Sequence, residues 1–180
     1  MLKQFAPLCL GLVLLTSFSV FAAEEKEPTT ISFGEGHFEM TVPEGWKTVQ
    51  PKVRIIDHEF SAPAKEEGAT AGRATLMGAG GGVDANVARW KGQFTKLTAD
   101  DVKEEKVAGM KVHIVELKGD FKDQRGPFAP AEIKKDYTVL GAIITTDKLG
   151  DYFLKFYGPS DTINENKEKF TKMVNSLKVK

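Results

Sequence analysis

The sequence predicts an α+β fold: an antiparallel β-sheet flanked by helices, with an amphipathic helix at the C-terminus. Three observations predict it. Strand signals outnumber the two helical ones and follow an order without strict β-α alternation, which argues against a parallel sheet. The most apolar internal run, residues 137–146, is followed after a tight polar connection at 147–150 by a second apolar run at 152–157, the pattern of a central hairpin. Ile163, Phe170, Met173, Val174 and Leu177 then form one stripe at helical spacing over residues 161–177.

Each element has its own local reason. The fold is expected to start near Ile31. Phe38, Met40 and Val42 alternate with Glu39 and Thr41, a period of two that suits a half-buried strand, and Pro43-Glu44-Gly45 supplies a turn before Trp46. Residues 53–60 are a second strand candidate, 61–70 a loop, and 73–77 a short strand. Glycines at 78, 80, 81 and 82 lead to Asp84, a good N-cap, and Val83, Val87, Trp90 and Phe94 share one face of a helix expected over 84–96. Residues 96–101 are polar, 102–107 suit a weak edge strand, and Val112, Ile114 and Leu117 belong to a longer one. Residues 119–136 read as a long loop. Thr162 and Glu165 have capping-box spacing at the start of the second helix, with Ser160 as its entry residue.

The N-terminus carries an address. Lys3, an apolar stretch over 8–21 and the small-x-small pattern Val20-Phe21-Ala22 make residues 1–22 a secretory signal peptide, followed by a charged leader at 23–30 and one domain over 31–180. The expected location is therefore secreted or periplasmic. There ATP and NAD(P)H are not ordinarily supplied, which disfavours nucleotide-driven chemistry. The 25 basic and 25 acidic residues balance, so no global field steers nucleic acid or anionic lipid toward the chain. The one cysteine, Cys9, lies inside the signal segment and leaves the mature chain without a thiol nucleophile, thiolate ligand or internal disulfide. After Ala23 no apolar run reaches the ~20 residues a membrane span needs.

A family resemblance is carried by particular segments. Phe38…Val42-Pro43-Glu44-Gly45-Trp46 near the start, and Phe156-Tyr157-Gly158-Pro159 leading into the final helix, resemble the PsbP-like fold. So do Gly80-Gly81-Gly82 before Asn86…Arg89-Trp90…Gln93-Phe94, Gly126-Pro127-Phe128, and Tyr137…Leu140-Gly141-Ala142-Ile143. The chain looks most like uncharacterised secreted bacterial proteins of that fold, over residues 31–177. The resemblance implies an α/β/α sandwich with helices on both sheet faces. It implies no reaction, because the matching motifs are turns, sheet residues and a helix stripe.

Chemistry-bearing patterns are sparse. The glycines at 78–82 lack the lysine and hydroxyl of a P-loop, and Val83 stands where a dinucleotide fingerprint needs a small residue. His37, His58 and His113 fall on three expected strands without paired spacing, and His113, alternating with Val112 and Ile114, is expected to face solvent. Asp100, Asp101, Glu104 and Glu105 interleave with lysines as a solvated edge, and no acidic residue sits where burial is expected. Residues 147–151 offer too few oxygen ligands for calcium, and Ser32, Ser61, Ser160 and Ser176 lack a nucleophile elbow.

The loop at 119–136 has the one positive functional lean. Phe121, Arg125 and Phe128, stiffened by Pro127 and Pro130, have a composition suited to recognition, while the plainer alternative folds both phenylalanines back onto the sheet. These three are the candidate binding residues; no catalytic, metal or cofactor-binding residue is expected. The function expected is a non-catalytic module without a cofactor that binds or stabilises an envelope protein partner, without nucleic acid or membrane insertion. Two alternatives remain: a small-molecule or lipid-binding envelope protein, and a hydrolase without a recognisable motif.

Overall fold

The computed structural model describes residues 28–124 and 130–180. The expected signal peptide, most of the leader, and the candidates Arg125 and Phe128 lie outside the described residues. The described chain is α+β and every strand pairing in it is antiparallel.

A small sheet joins β1 (Thr30–Phe33), β2 (Phe38–Thr41) and β10 (Lys178–Val179) in the order β1-β2-β10. A seven-stranded sheet carries β3 (Lys47–Val49), β4 (His58–Ala62), β5 (Gly72–Ala79), β6 (Phe94–Val107), β7 (Met110–Asp123), β8 (Glu132–Thr145) and β9 (Asp151–Pro159), ordered β3-β4-β5-β9-β8-β7-β6. The β8-β9 hairpin is central, as its apolar composition predicts. The helices are α1 (Gly82–Lys91) and α2 (Ser160–Asn175), packed on opposite faces of the large sheet.

Side-chain alternation divides the interior into two cores. On one face Leu76, Leu140, Ala142, Ile144, Leu154 and Phe156 meet the small sheet through Phe33, Phe38 and Met40, and α2 through Ile163, Phe170, Met173 and Val174. Trp46 closes this core, 4.8 Å between ring centroids from Phe156, and its Nε1–H donates to Asn166 Oδ1 at 3.0 Å. The buried Asn166 amide then donates to the carbonyls of Pro63 and Thr162, tying a loop to the helix and leaving little unpaired polarity. On the other face Val87 and Trp90 of α1 pack on Val115, Leu117, Phe121, Val139, Ile143 and Phe153.

Several expected boundaries are corrected. Most of the expected loop at 119–136 is paired strand: Phe121 faces Lys134 and Asp123 faces Glu132, with a bulge after Gly119. Polar residues at 120, 122 and 123 conceal this strand because it runs past the helix-covered body. β6 likewise starts at Phe94 rather than 102, and its side chains are nearly all exposed, so backbone pairing with β7 defines it rather than an apolar pattern. Helix α1 starts at Gly82 behind Gly81, which has φ +100°, not at Asp84, and ends at Lys91 so that Phe94 belongs to a strand. The strand expected from residue 53 begins at His58, leaving Val53 and Ile55 exposed.

The capping box does not form, because α2 begins at Ser160, before Thr162. The Thr162 hydroxyl instead donates to Thr70 O at 2.9 Å, and Glu165 accepts from the Lys65 N–H. His113 is half-buried rather than turned to solvent, with Nε2 4.0 Å from cross-strand Glu104.

Candidate functional site

The least expected chemistry lies on the α1 face of β9. Alternation sends Phe153, Lys155 and Tyr157 to this face, so Lys155 places a cation in the middle of the large sheet. Its backbone neighbours in register are Thr75 on β5 and Gly141 on β8. Gly141 matters through close approach: a Cβ there would lie 2.1 Å from Trp90 Cζ3, so only glycine lets the indole settle against the sheet beside the lysine.

The Lys155 ammonium is bounded by rings. Its Nζ stands 5.1 Å from the Tyr157 ring centroid, 5.3 Å from Phe121 and 5.8 Å from Trp90, within cation–π range of all three. Its hydrogen-bond acceptor is the neutral Gln93 Oε1. Burial removes water from the ammonium, and the positive charges of Arg89 and Arg73 disfavour it further, against a weaker opposite pull from Asp123; together they push the amine down to about 7.

Around this amine the aromatic set continues. Phe121 meets Phe94 edge-on at 5.4 Å, stacks on Tyr137 at 5.9 Å and touches Tyr157 at 5.3 Å. Tyr157 pairs in register with Arg73, whose Nη1 donates to Tyr157 Oη at 2.9 Å while Nε and Nη2 grip the Glu59 carboxylate at 2.7 and 2.8 Å. The Glu59 carboxylate raises the guanidinium's affinity for its proton. Glu59 is only 12% exposed, so one acidic side chain is largely buried despite the contrary expectation.

The sequence-derived candidates fall around this cluster unevenly. Phe121 is 3% exposed and forms a wall of the lysine's surroundings. The histidines stay apart: His58 Nε2 pairs with Ser32 O, and no group of three or more potential metal-ligating side chains occurs among the described residues. Ser160 donates to Asp136 Oδ1 at 3.0 Å and pairs with Thr138 Oγ1 at 2.8 Å, an arrangement that anchors α2 to β8. The glycine turn before α1 is held by Asn86, whose amide donates to Gly80 O and Gly82 O. A cleft of about 1070 Å³ lies elsewhere, between α2 and the segment from Thr41 to Thr48, and its Lys169 donates to Glu44 O.

The readable signal for the missed residue was modest. Lys155 is the lone charge in the run Tyr152-Phe153-Leu154-Lys155-Phe156-Tyr157, in a strand expected to be central. Arg73 and Gln93, far away in sequence, gave no sign of converging on it.

No protein-family model matches the sequence, and no curated protein matches it. Among solved structures, the chain is similar to cyanobacterial PsbP (CyanoP) from Synechocystis sp. PCC 6803, at 13% identity and a TM-score of 0.51, covering 92% of this chain and 99% of that one. It is also similar to the Ran-binding protein Mog1p of Saccharomyces cerevisiae, at 13% identity and a TM-score of 0.49, covering 84% of this chain and 95% of that one. The likeness to CyanoP extends over nearly the whole of both chains, and the fold is PsbP-like. Among the described residues no helix is long and apolar enough to cross a membrane.

Proposed function

We propose that this chain is an exported, non-catalytic binding module that engages a protein partner in the cell envelope through the outer end of the β7-β8 hairpin. The signal-like N-terminus supports export. The observation that carries the binding reading is the gathering of Phe94, Phe121, Tyr137 and Tyr157 with Arg73 and Lys155 on one sheet face. Aromatic and arginine side chains are the residue types that dominate binding energy at interfaces. Fourteen residues in each of β7 and β8 span ~46 Å, whereas the ten of α1 span ~15 Å, so the strands run beyond the helix, and their outermost residues, 122–123 and 132–136, are exposed or half-buried.

On this reading Arg125 and Phe128, in the sequence between β7 and β8, supply direct contacts. The test is affinity capture from the organism's own envelope extract with the chain beginning at residue 23. Replacing Arg125 and Phe128 together by Ala should reduce the captured partner at least tenfold while leaving the thermal midpoint unchanged. Equal capture by the double variant would remove Arg125 and Phe128 from the interface.

A further inference from the structure

We infer that the surface at Lys155 is a binding site for a carboxylate carried on an apolar group, with Lys155 and Arg89 supplying the charge and the rings of Phe121, Tyr157 and Trp90 the apolar wall. The inference rests on the binding-module reading above and adds the chemistry of what is bound.

Among the described residues, none supplies a counter-charge in contact with Lys155. Its nearest acceptor is a neutral amide, and the rings around it offer only their π faces. The neighbouring carboxylate, Glu59, is gripped by the two-pronged guanidinium of Arg73, and Asp123 acts on the amine only from a distance. Arg89, exposed on the last turn of α1, adds positive potential to the same place. A methionine or leucine would fill the position without the desolvation that an ammonium suffers there. The side chain nevertheless retains some contact with solvent, so an anion can approach it.

The donor set selects the anion. The guanidinium fork of Arg73 is already filled by Glu59, which leaves the Lys155 ammonium and the exposed Arg89 guanidinium as donors. A phosphate needs several donors and holds its water strongly, whereas one carboxylate is satisfied by an ammonium and can bring an apolar stem to the rings. The carboxylate belongs either to an acidic side chain of a protein partner or to a free organic acid.

A proton is linked to this binding. The empty site releases the Lys155 proton near pH 7, while a bound carboxylate holds it, so binding above that pH takes up one proton. Arg73, Arg89, Glu59, Asp123, Tyr137 and Tyr157 are the other ionisable side chains around this place, and Lys155 is the one brought down to about 7.

The experiment follows the Lys155 side chain by NMR in lysine-labelled protein beginning at residue 23. The probes are 3-phenylpropionate, a C-terminally amidated peptide containing a Phe-Glu pair, and inorganic phosphate. At least one carboxylate probe should move the Lys155 ε-methylene signal and phosphate should not. Its affinity should be flat below pH 7 and fall about tenfold per pH unit above it. Lys155→Met should lose at least tenfold in affinity, and Arg89→Gln, a surface change that leaves the core intact, about threefold. Tighter peptide binding identifies a partner side chain as the source, and tighter binding of the free acid a small molecule. An unmoved Lys155 signal, equal binding of phosphate, or full affinity in Lys155→Met would overturn the inference. Because envelope capture is read separately with the Arg125 and Phe128 variant, failure of the carboxylate probes at Lys155 overturns this site and leaves the partner-binding reading intact.

Discussion

Lys155 is the residue at which folding and function pull apart. Unfolded, its amine titrates near 10.5, and in the folded chain near 7 because desolvation and the two arginines disfavour the charge. Between these values the unfolded chain binds the extra proton, so the free energy of unfolding climbs as pH rises through the window, and below pH 7 the full penalty applies. The expected outcome is measurable by urea denaturation of wild type and Lys155→Met at pH 6 to 9.5. The stability of wild type relative to the variant should rise by about 1 kcal/mol per pH unit above pH 7, with the variant more stable at pH 6. Parallel pH profiles would show that the amine keeps its proton in the folded state.

At the scale of elements, α1 is a short helix held in place by two unusual contacts. Its N-terminus has no side-chain cap, and the buried Asn86 secures the glycine turn from inside by donating to two of its carbonyls. Its C-terminal half is seated by Trp90 on the bare backbone of Gly141. Gly141→Ala forces a methyl into the indole, and overpacking of this kind costs ~1–3 kcal/mol. Because Trp90 also lines the lysine's surroundings, the same change should quench or shift Trp90 fluorescence and speed amide exchange in α1, while α2, on the opposite face, keeps its protection. Equal loss of protection in both helices would mean that the two cores do not respond separately.

The whole molecule is joined through Phe156, which touches Trp46 from the chain's early turn and stacks near Phe170 of α2, at 4.8 and 6.0 Å between centroids. It is fully buried where the large sheet, α2 and the Trp46 turn converge. Phe156→Ala is expected to cost ~3–5 kcal/mol, the range for removing a buried phenyl ring. Val102→Ala on the exposed edge strand should change stability by less than ~0.5 kcal/mol. Chemical denaturation of the two variants checks the contrast, and a small effect at Phe156 would place the cooperative core elsewhere. Edge strand β6 meets solvent with alternating charge, Lys103 pairing with Asp101 at 2.8 Å and Lys111 with Glu104 at 3.4 Å, a surface that discourages pairing with other chains.

The sequence by itself determined the fold class, the central hairpin, the C-terminal helix and the absence of thiol chemistry after residue 9, because each is written in composition or in a period local to a few residues. It marked only residues 102–107 of β6, as a weak edge strand, and missed residues 94–101, 119–123 and 132–136, where mostly polar or exposed side chains leave little apolar alternation to read and backbone pairing makes the strand. Nor did it mark the lysine site. Arg73, Gln93, Phe121 and Lys155 come from four separate segments, and their meeting depends on strand order and on which way each side chain alternates. The tertiary structure alone decided that, since a charge becomes chemically distinctive only when packing strips its water and places other charges beside it.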